Sequence, residues 1–178
     1  MPCYGWSEEN YGYAFLDMIY YDYVWTKEEL EPYSTYQCNE KERTRYSTRN
    51  VIWLDVNPDP SKLIQAYGKQ LHPLIAEEFQ YQLSRGYKVD AKVAEYKDKD
   101  HCFSWHSDEK VHDNFHRLLS TITYLNDDFE SGETQFIDRT IIPSAGKTLM
   151  FPSSFNYPHC GLRVTKGVKR ILVMHVWV

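Results

Sequence analysis

Two short stretches carry the residues best suited to chemistry. One is Trp105-His106-Ser107-Asp108; the other is Pro158-His159-Cys160-Gly161, whose histidine lies 51 residues after Asp108. Two imidazoles and one carboxylate on one side of a metal ion leave its other side open. That donor set suits a non-haem Fe(II) centre with free coordination positions. The spacing has a mechanical reason. Side chains alternate faces along a strand, so residues i and i+2 point the same way. His106 and Asp108 can therefore aim into one cavity while Ser107 points away. The third ligand has to come from a distant strand, and His159 is the candidate.

A bare His-x-Asp is a weak signal, and the order of segments after it gives it weight. Leu118 to Leu125 reads as a strand and Asn126-Asp127-Asp128 as a turn. Glu130-Ser131-Gly132-Glu133-Thr134-Gln135-Phe136 follows, then the turn Pro143-Ser144-Ala145-Gly146 and the apolar run Lys147 to Phe151. His159 comes next, then Gly167-Val168-Lys169-Arg170 and the strand Ile171 to Met174. The other histidines fit less well as ligands. His72 falls in a helical region. His101 is five residues from His106 and should face elsewhere. His112 and His116 precede the next strand. His175 shares the parity of Lys169, so it points toward the interior and reads as a core residue.

The supporting elements are legible upstream. Thr26 with Glu29 three residues on is a helix-start signal. Lys41 to Asn50 is charged and reads as a loop. Val51 to Val56 alternates as a strand, and Asn57-Pro58-Asp59-Pro60-Ser61 is a turn. From Ser61 to about Ser84, apolar residues recur at three- and four-residue steps, which predicts a helix with a kink at Pro73. Arg85-Gly86 ends it. Such a helix would lay its apolar face on the outside of a sheet. From Tyr87 onward every segment reads as strand or turn. About seven strands there, with Val51–Val56, predict a mainly β chain with packing helices. Eight strands in two facing sheets make a double-stranded β-helix, a jelly-roll or cupin-like fold.

At 178 residues the chain reads as one domain with a real core, residues 1–86 supporting a catalytic β-helix at 87–178. The formal charge of −5 gives no general basic field, so nucleic acid is not an expected partner. Aromatic residues make up 16% of the chain, a composition that favours strands and pocket walls. Cys3, Cys38, Cys102 and Cys160 have no paired spacing, which predicts reduced thiols. There is no apolar run long enough for a membrane span and no signal-peptide pattern. A cytoplasmic location is expected.

From Lys88 to Val178 the chain resembles the prolyl 4-hydroxylase-like branch of the Fe(II)/2-oxoglutarate dioxygenases. The family pattern is His-x-Asp, Tyr-Leu-Asn-Asp, Gly-Gly-x-Thr-x-Phe, Pro-x-x-Gly, an apolar strand ending in Phe, the distal His, and a basic residue about ten positions on. A weaker echo runs from Arg45 to Trp53. One motif departs: Ser131 stands where a first glycine is usual, which bears on loop shape.

The resemblance implies the double-stranded β-helix and a metal site of His106, Asp108 and His159. It implies Fe(II) as metal, with 2-oxoglutarate and O2 as cosubstrates, and it admits ascorbate as an accessory reductant. The far carboxylate of 2-oxoglutarate needs a buried cation. Collagen-type relatives place a lysine ten residues after the distal histidine, which is Lys169 here. Strand parity lets only one of Lys169 and Arg170 face inward, and Lys169 is favoured. Tyr96 and Tyr124 match tyrosines that contact 2-oxoglutarate in relatives; Thr134 and Thr148 are weaker pocket candidates. Trp105 is placed to shape the substrate mouth. The implied reaction hydroxylates an unactivated C–H and releases succinate and CO2. A prolyl residue in a protein or peptide is the favoured substrate, with Arg43–Asn50 as a mobile lid over it. Two alternatives stay open: a hydroxylase of a free amino acid or other small molecule, and a catalytically silent cupin-like binding module.

Overall fold

The computed structural model describes residues 17–43, 47–55, 57–97 and 101–178. In chain order the first elements are β1 (Tyr20–Asp22), α1 (Lys27–Ser34), β2 (Glu40–Arg43), β3 (Ser47–Trp53), α2 (Ser61–Gln70) and α3 (Pro73–Ser84). Then come β4 (Lys88–Tyr96), β5 (Cys102–His106), β6 (Val111–His112), β7 (Phe115–Tyr124), β8 (Glu130–Ser131) and β9 (Thr134–Phe136). The last are β10 (Thr140–Ile141), β11 (Thr148–Pro152), β12 (His159–Gly161), β13 (Val164–Lys166) and β14 (Lys169–Trp177).

The strands form a curled antiparallel sheet in the order β1-β11-β7-β14-β4-β3-β5-β12-β9-β10. β2 extends β3, β6 pairs with β7, and β8 and β13 make a separate ribbon. This is the expected double-stranded β-helix. It carries more strands than the eight read from the sequence, because short pairs such as β9–β10 and β8–β13 have two or three residues per strand, too few for alternation to show.

Alternation along the central strands builds two cores at once. On the outer face, Leu172, Met174 and Val176 of β14 and Ala91 and Val93 of β4 pack with Leu63, Tyr67, Phe79 and Leu83 of the helices. On the inner face lie Ile171, Val173, Ala94, Tyr96, Tyr124, Phe136 and Phe151. With both faces covered, β14 reads as a nearly unbroken apolar run. Fully burying each large outer side chain contributes about 1.5–3 kcal/mol. Helices this short therefore depend on the sheet more than on their own propensity.

Three local expectations change in the structure. The single kinked helix is two helices. Pro73 forces His72 out of the helical region, and Leu71 and His72 are extended with ψ of 147° and 141°. The strand read at Val51–Val56 is β3, Ser47–Trp53; Val56 lies outside the described residues. The charged loop at Lys41–Asn50 is largely the β2–β3 hairpin. Its charges mislead because Arg49 and Asn50 are buried and paired, Arg49 donating to Tyr96 Oη at 2.8 Å and Asn50 to Glu95 at 3.4 Å. Residues 44–46 of the expected lid lie outside the described residues. The start of α1 is as read: Thr26 and Glu29 form a reciprocal capping box. Cys38, Cys102 and Cys160 are free thiols, and Cys3 lies outside the described residues. No helix of the described residues is long and apolar enough to cross a membrane.

Gly167 turns the chain into β14 with φ +83°, and a Cβ there would stand 2.8 Å from the Asp128 carbonyl oxygen. Gly167→Ala combines left-handed strain with that collision. It is expected to cost about 1–3 kcal/mol, read as a lower urea midpoint with unchanged slope. A midpoint equal to that of the parent would show that the turn relaxes freely.

Candidate active site

His106 ends β5 and faces His159 on β12 as its direct register partner. Asp108 follows two residues later in the loop just past the end of β5, so the loop and not the expected strand alternation delivers it, and Ser107, expected to point away, also lines the cavity. The imidazole centroids are 4.3 Å apart. Asp108 Oδ1 is 3.6 Å from His106 Nε2, and Oδ2 is 3.9 Å from His159 Nε2. One donor atom from each of the three side chains lies within 4.8 Å of the other two.

Each ring is aimed by its other nitrogen. His106 Nδ1–H donates to the Ser104 carbonyl at 2.8 Å, and His159 Nδ1–H to the Tyr157 carbonyl at 3.2 Å. Both Nε2 lone pairs are thereby turned toward Asp108. Phe103 stacks on His106 at 3.6 Å, and Phe151 meets His159 edge-on at 4.8 Å. Burial pushes His159 down to about 4, so its ring is neutral at pH 7. Burial alone would raise the Asp108 carboxyl. The surrounding imidazoles of His106, His175 and His159 instead hold it well below the carboxylate range. A neutral His159 ring and an ionised Asp108 carboxylate are protonation states that suit a divalent cation. The chemistry of this donor set fits Fe(II).

The structure adds residues that the sequence did not mark. His175 is buried in the core, as expected, but its Nε2 also lies 3.7 Å from Asp108 Oδ2. Its Nδ1 bonds Asp90 Oδ1 at 2.7 Å, and Trp177 Nε1 donates to Asp90 Oδ2 at 3.0 Å. Arg117 donates to the Asp108 carbonyl oxygen at 3.3 Å. The parity of His175 hinted at this position; Asp90 and Arg117 carried no motif. Of the remaining histidines, His101 accepts from the Lys97 amide, His112 pairs with Asp113 on the surface, and His72 and His116 are exposed.

A cavity of about 640 Å³ opens over the triad. Lys169 is buried on its wall, with Nζ donating to the Gly132 carbonyl at 2.6 Å. The ammonium lies 5.1 Å from the Tyr96 ring centroid and 5.5 Å from that of Tyr124. Tyr124 is fully buried and donates to Thr134 Oγ1 at 2.7 Å. Tyr96, Thr134 and Trp105 line the cavity, and Trp105 is 46% exposed. Thr148 does not line it; its hydroxyl pairs with Thr123 Oγ1 at 2.8 Å on the other face of the sheet. Arg170 points outward to Glu95, at 3.0 Å, and to the carbonyls of Ser34 and Tyr36. Arg49, expected on a lid, is inside the barrel, with its guanidinium 4.3 Å from the Phe103 ring centroid. Ser131 has φ +64°, a glycine-like conformation beside Gly132 at +78°.

Residues 91–178 match the sequence profile of the 2OG-Fe(II) oxygenase superfamily. No curated protein sequence matches the chain. Among solved structures it is similar to the viral collagen prolyl hydroxylase vCPH of Paramecium bursaria Chlorella virus-1 in its 2OG complex. That likeness has TM-score 0.66 and 18% identity over 94% of this chain and 99% of the other. A Pseudomonas putida prolyl-4-hydroxylase gives TM-score 0.62 and 16% identity over 89% of this chain and 91% of that one. A Trichoplax adhaerens prolyl hydroxylase, in complex with a hypoxia inducible factor oxygen degradation domain peptide fragment, gives 0.54 and 15% over 84% and 75%. At these identities the likeness establishes the fold.

Burial pushes Lys169 down from its ordinary 10.5 to about 7. The unfolded chain holds this proton up to about 10.5, so Lys169's own effect on stability improves as pH rises from about 7 to 10.5. A pH-independent stability difference between the parent and Lys169→Met across that window would contradict the shift.

Proposed function

We propose that the protein is an Fe(II)- and 2-oxoglutarate-dependent dioxygenase that hydroxylates a prolyl residue in a protein or peptide, releasing succinate and CO2. The observation that carries this reading is the convergence of His106, Asp108 and His159 in the same cavity as the buried Lys169. His106 and His159 hold the metal through Nε2 and Asp108 through its carboxylate. When bound, the metal supplies, with O2 and 2-oxoglutarate, the oxidising power for an unactivated C–H.

The chain's own residues do the rest. Lys169 takes the far carboxylate of 2-oxoglutarate in a charge-assisted bond, and the Tyr96 and Tyr124 rings flank it. Phe103, Phe136 and Phe151 surround the imidazoles and exclude water from their exposed edges. His175, with Asp90 behind it, keeps the Asp108 carboxylate from turning away. The prolyl preference is supported by the likeness to prolyl hydroxylases, one of them holding a peptide. A pocket of about 640 Å³ leaves room for a residue beside the cosubstrate.

His106→Ala is expected to abolish Fe(II) binding in a metal titration and succinate formation in a turnover assay. Retained 2-oxoglutarate decarboxylation in that variant would remove His106 from the ligand set. Asp90→Asn keeps the shape but weakens the support of Asp108; Fe(II) affinity should drop about 10–100-fold. An unaltered dissociation constant would make Asp90 a packing residue only. Prolyl peptides incubated with the Fe(II) enzyme, 2-oxoglutarate and O2 should gain one oxygen by mass spectrometry. Oxygen gain confined to free amino acids would sink the peptide reading.

A further inference from the structure

Arg49 stands between the two ends of the site. It lies on β3, which runs in the sheet between β4, carrying Tyr96, and β5, carrying His106. Ser47 pairs in register with Phe103 of β5, and Asn50 with Glu95 of β4. Arg49 is therefore beside Tyr96 on one flank and diagonal to Phe103 on the other, within reach of a long side chain.

Four groups follow one another in contact. The Tyr96 hydroxyl accepts a hydrogen bond from the Arg49 guanidinium at 2.8 Å. The guanidinium carbon lies over the Phe103 ring, 4.3 Å from its centroid. Phe103 stacks on His106 at 3.6 Å, with 13° between the planes. The imidazole fills one face of the phenyl ring, so the guanidinium takes the other. Arg49 is 3% exposed and Tyr96 2%, so the far end of the stack is held inside the barrel.

Packing alone does not account for an arginine here. Burying a cation is costly, and an apolar side chain of the same length would cover Phe103 as well. Arginine adds a flat cationic face that stacks on an aromatic ring, and N–H groups that fix the angle of that face. The need for such a backstop is at His106. Its Nδ1–H bond to the Ser104 carbonyl leaves the ring free to tilt about that bond. The parallel stack removes that freedom, and with it the spread in where Nε2 points. The guanidinium acts through contacts it already makes, so the role requires no unpaired N–H.

We propose that Arg49 is a positioning residue of the metal site, which sets the plane of His106 through Phe103. This rests on the metal-dependent oxygenase reading above and adds a residue to it. Through Tyr96, the same guanidinium joins that ligand to the end of the cavity where Lys169 lies.

Co(II) is the probe, because its visible absorption reports ligand geometry without turnover. Arg49→Met fills similar space and removes the flat cation. It is expected to weaken Co(II) binding about tenfold and to change the visible spectrum of the Co(II)-loaded protein. Phe103→Leu is expected to do the same, and Arg49→Met should add nothing once Phe103 is leucine. Arg49→Lys keeps a cation without the flat face and should recover no more than part of the affinity. It carries the test if the Met variant does not fold. A packing role alone would lower the urea midpoint of the metal-free protein and leave the Co(II) dissociation constant and spectrum as in the parent; that result overturns the proposal. So does full recovery by lysine, or losses that simply multiply in the double variant. Succinate formation by the parent protein with Fe(II), O2 and 2-oxoglutarate is measured in parallel. Its absence sinks the oxygenase reading, whereas succinate formation with an unaltered Co(II) spectrum in Arg49→Met sinks the positioning role alone.

Discussion

The site depends on keeping one ionised carboxylate out of water. Asp108 is 12% exposed and faces the Nε2 atoms of three imidazoles at 3.6–3.9 Å. A buried charge without partners is costly enough that it would protonate instead. The surrounding groups answer that demand in layers. His106, His159 and His175 face the carboxylate, Arg117 holds its backbone carbonyl, and Asp90 anchors both His175 and Trp177. A divalent cation among these groups would satisfy Asp108 more completely than the imidazoles do, which makes the cluster receptive to a metal.

Strand parity turns this local demand into an architecture. β14 sends Lys169, Ile171, Val173, His175 and Trp177 inward, and Leu172, Met174 and Val176 outward to the helices. β4 repeats the pattern with Tyr96, Ala94, Lys92 and Asp90 inward. A slip of one residue would exchange every one of these for its neighbour. Arg170 would then enter the barrel in place of Lys169. The outer apolar face guards against that slip, since moving Leu172 and Met174 inward would strip the helices of their contact surface.

What the sequence revealed follows from the same alternation. His106, Asp108, His159 and Lys169 were legible because spacing of two, and a basic residue ten positions after the distal histidine, are local signals that survive without coordinates. Parity let only one of Lys169 and Arg170 face inward, and the family resemblance favoured Lys169; in the structure Lys169 turns inward and Arg170 outward. Asp90 was not, because its importance comes from a register pairing across 85 residues. Arg49 misled for a related reason. Its charge reads as solvated, yet it is 3% exposed and bonds Tyr96, a partner 47 residues away. The break at Pro73 was half legible: the proline marked the place, but two extended residues rather than a kink followed from its effect on His72.

Ser131 shows how a departure from the family pattern is accommodated. Two consecutive left-handed residues, Ser131 and Gly132, bend the chain at the edge of the β8–β13 ribbon. That bend turns the Gly132 carbonyl onto Lys169 Nζ. A serine held at φ +64° costs more than a glycine there. Its hydroxyl offsets part of that cost by bonding Thr165 at 3.2 Å across the ribbon. At Gly132 the same tolerance is absent: a Cβ would press on Val164 at 3.0 Å and on the Lys169 side chain at 3.2 Å. The turn can lose its first glycine because that position faces the ribbon's exposed edge. It keeps its second because that position faces the buried lysine.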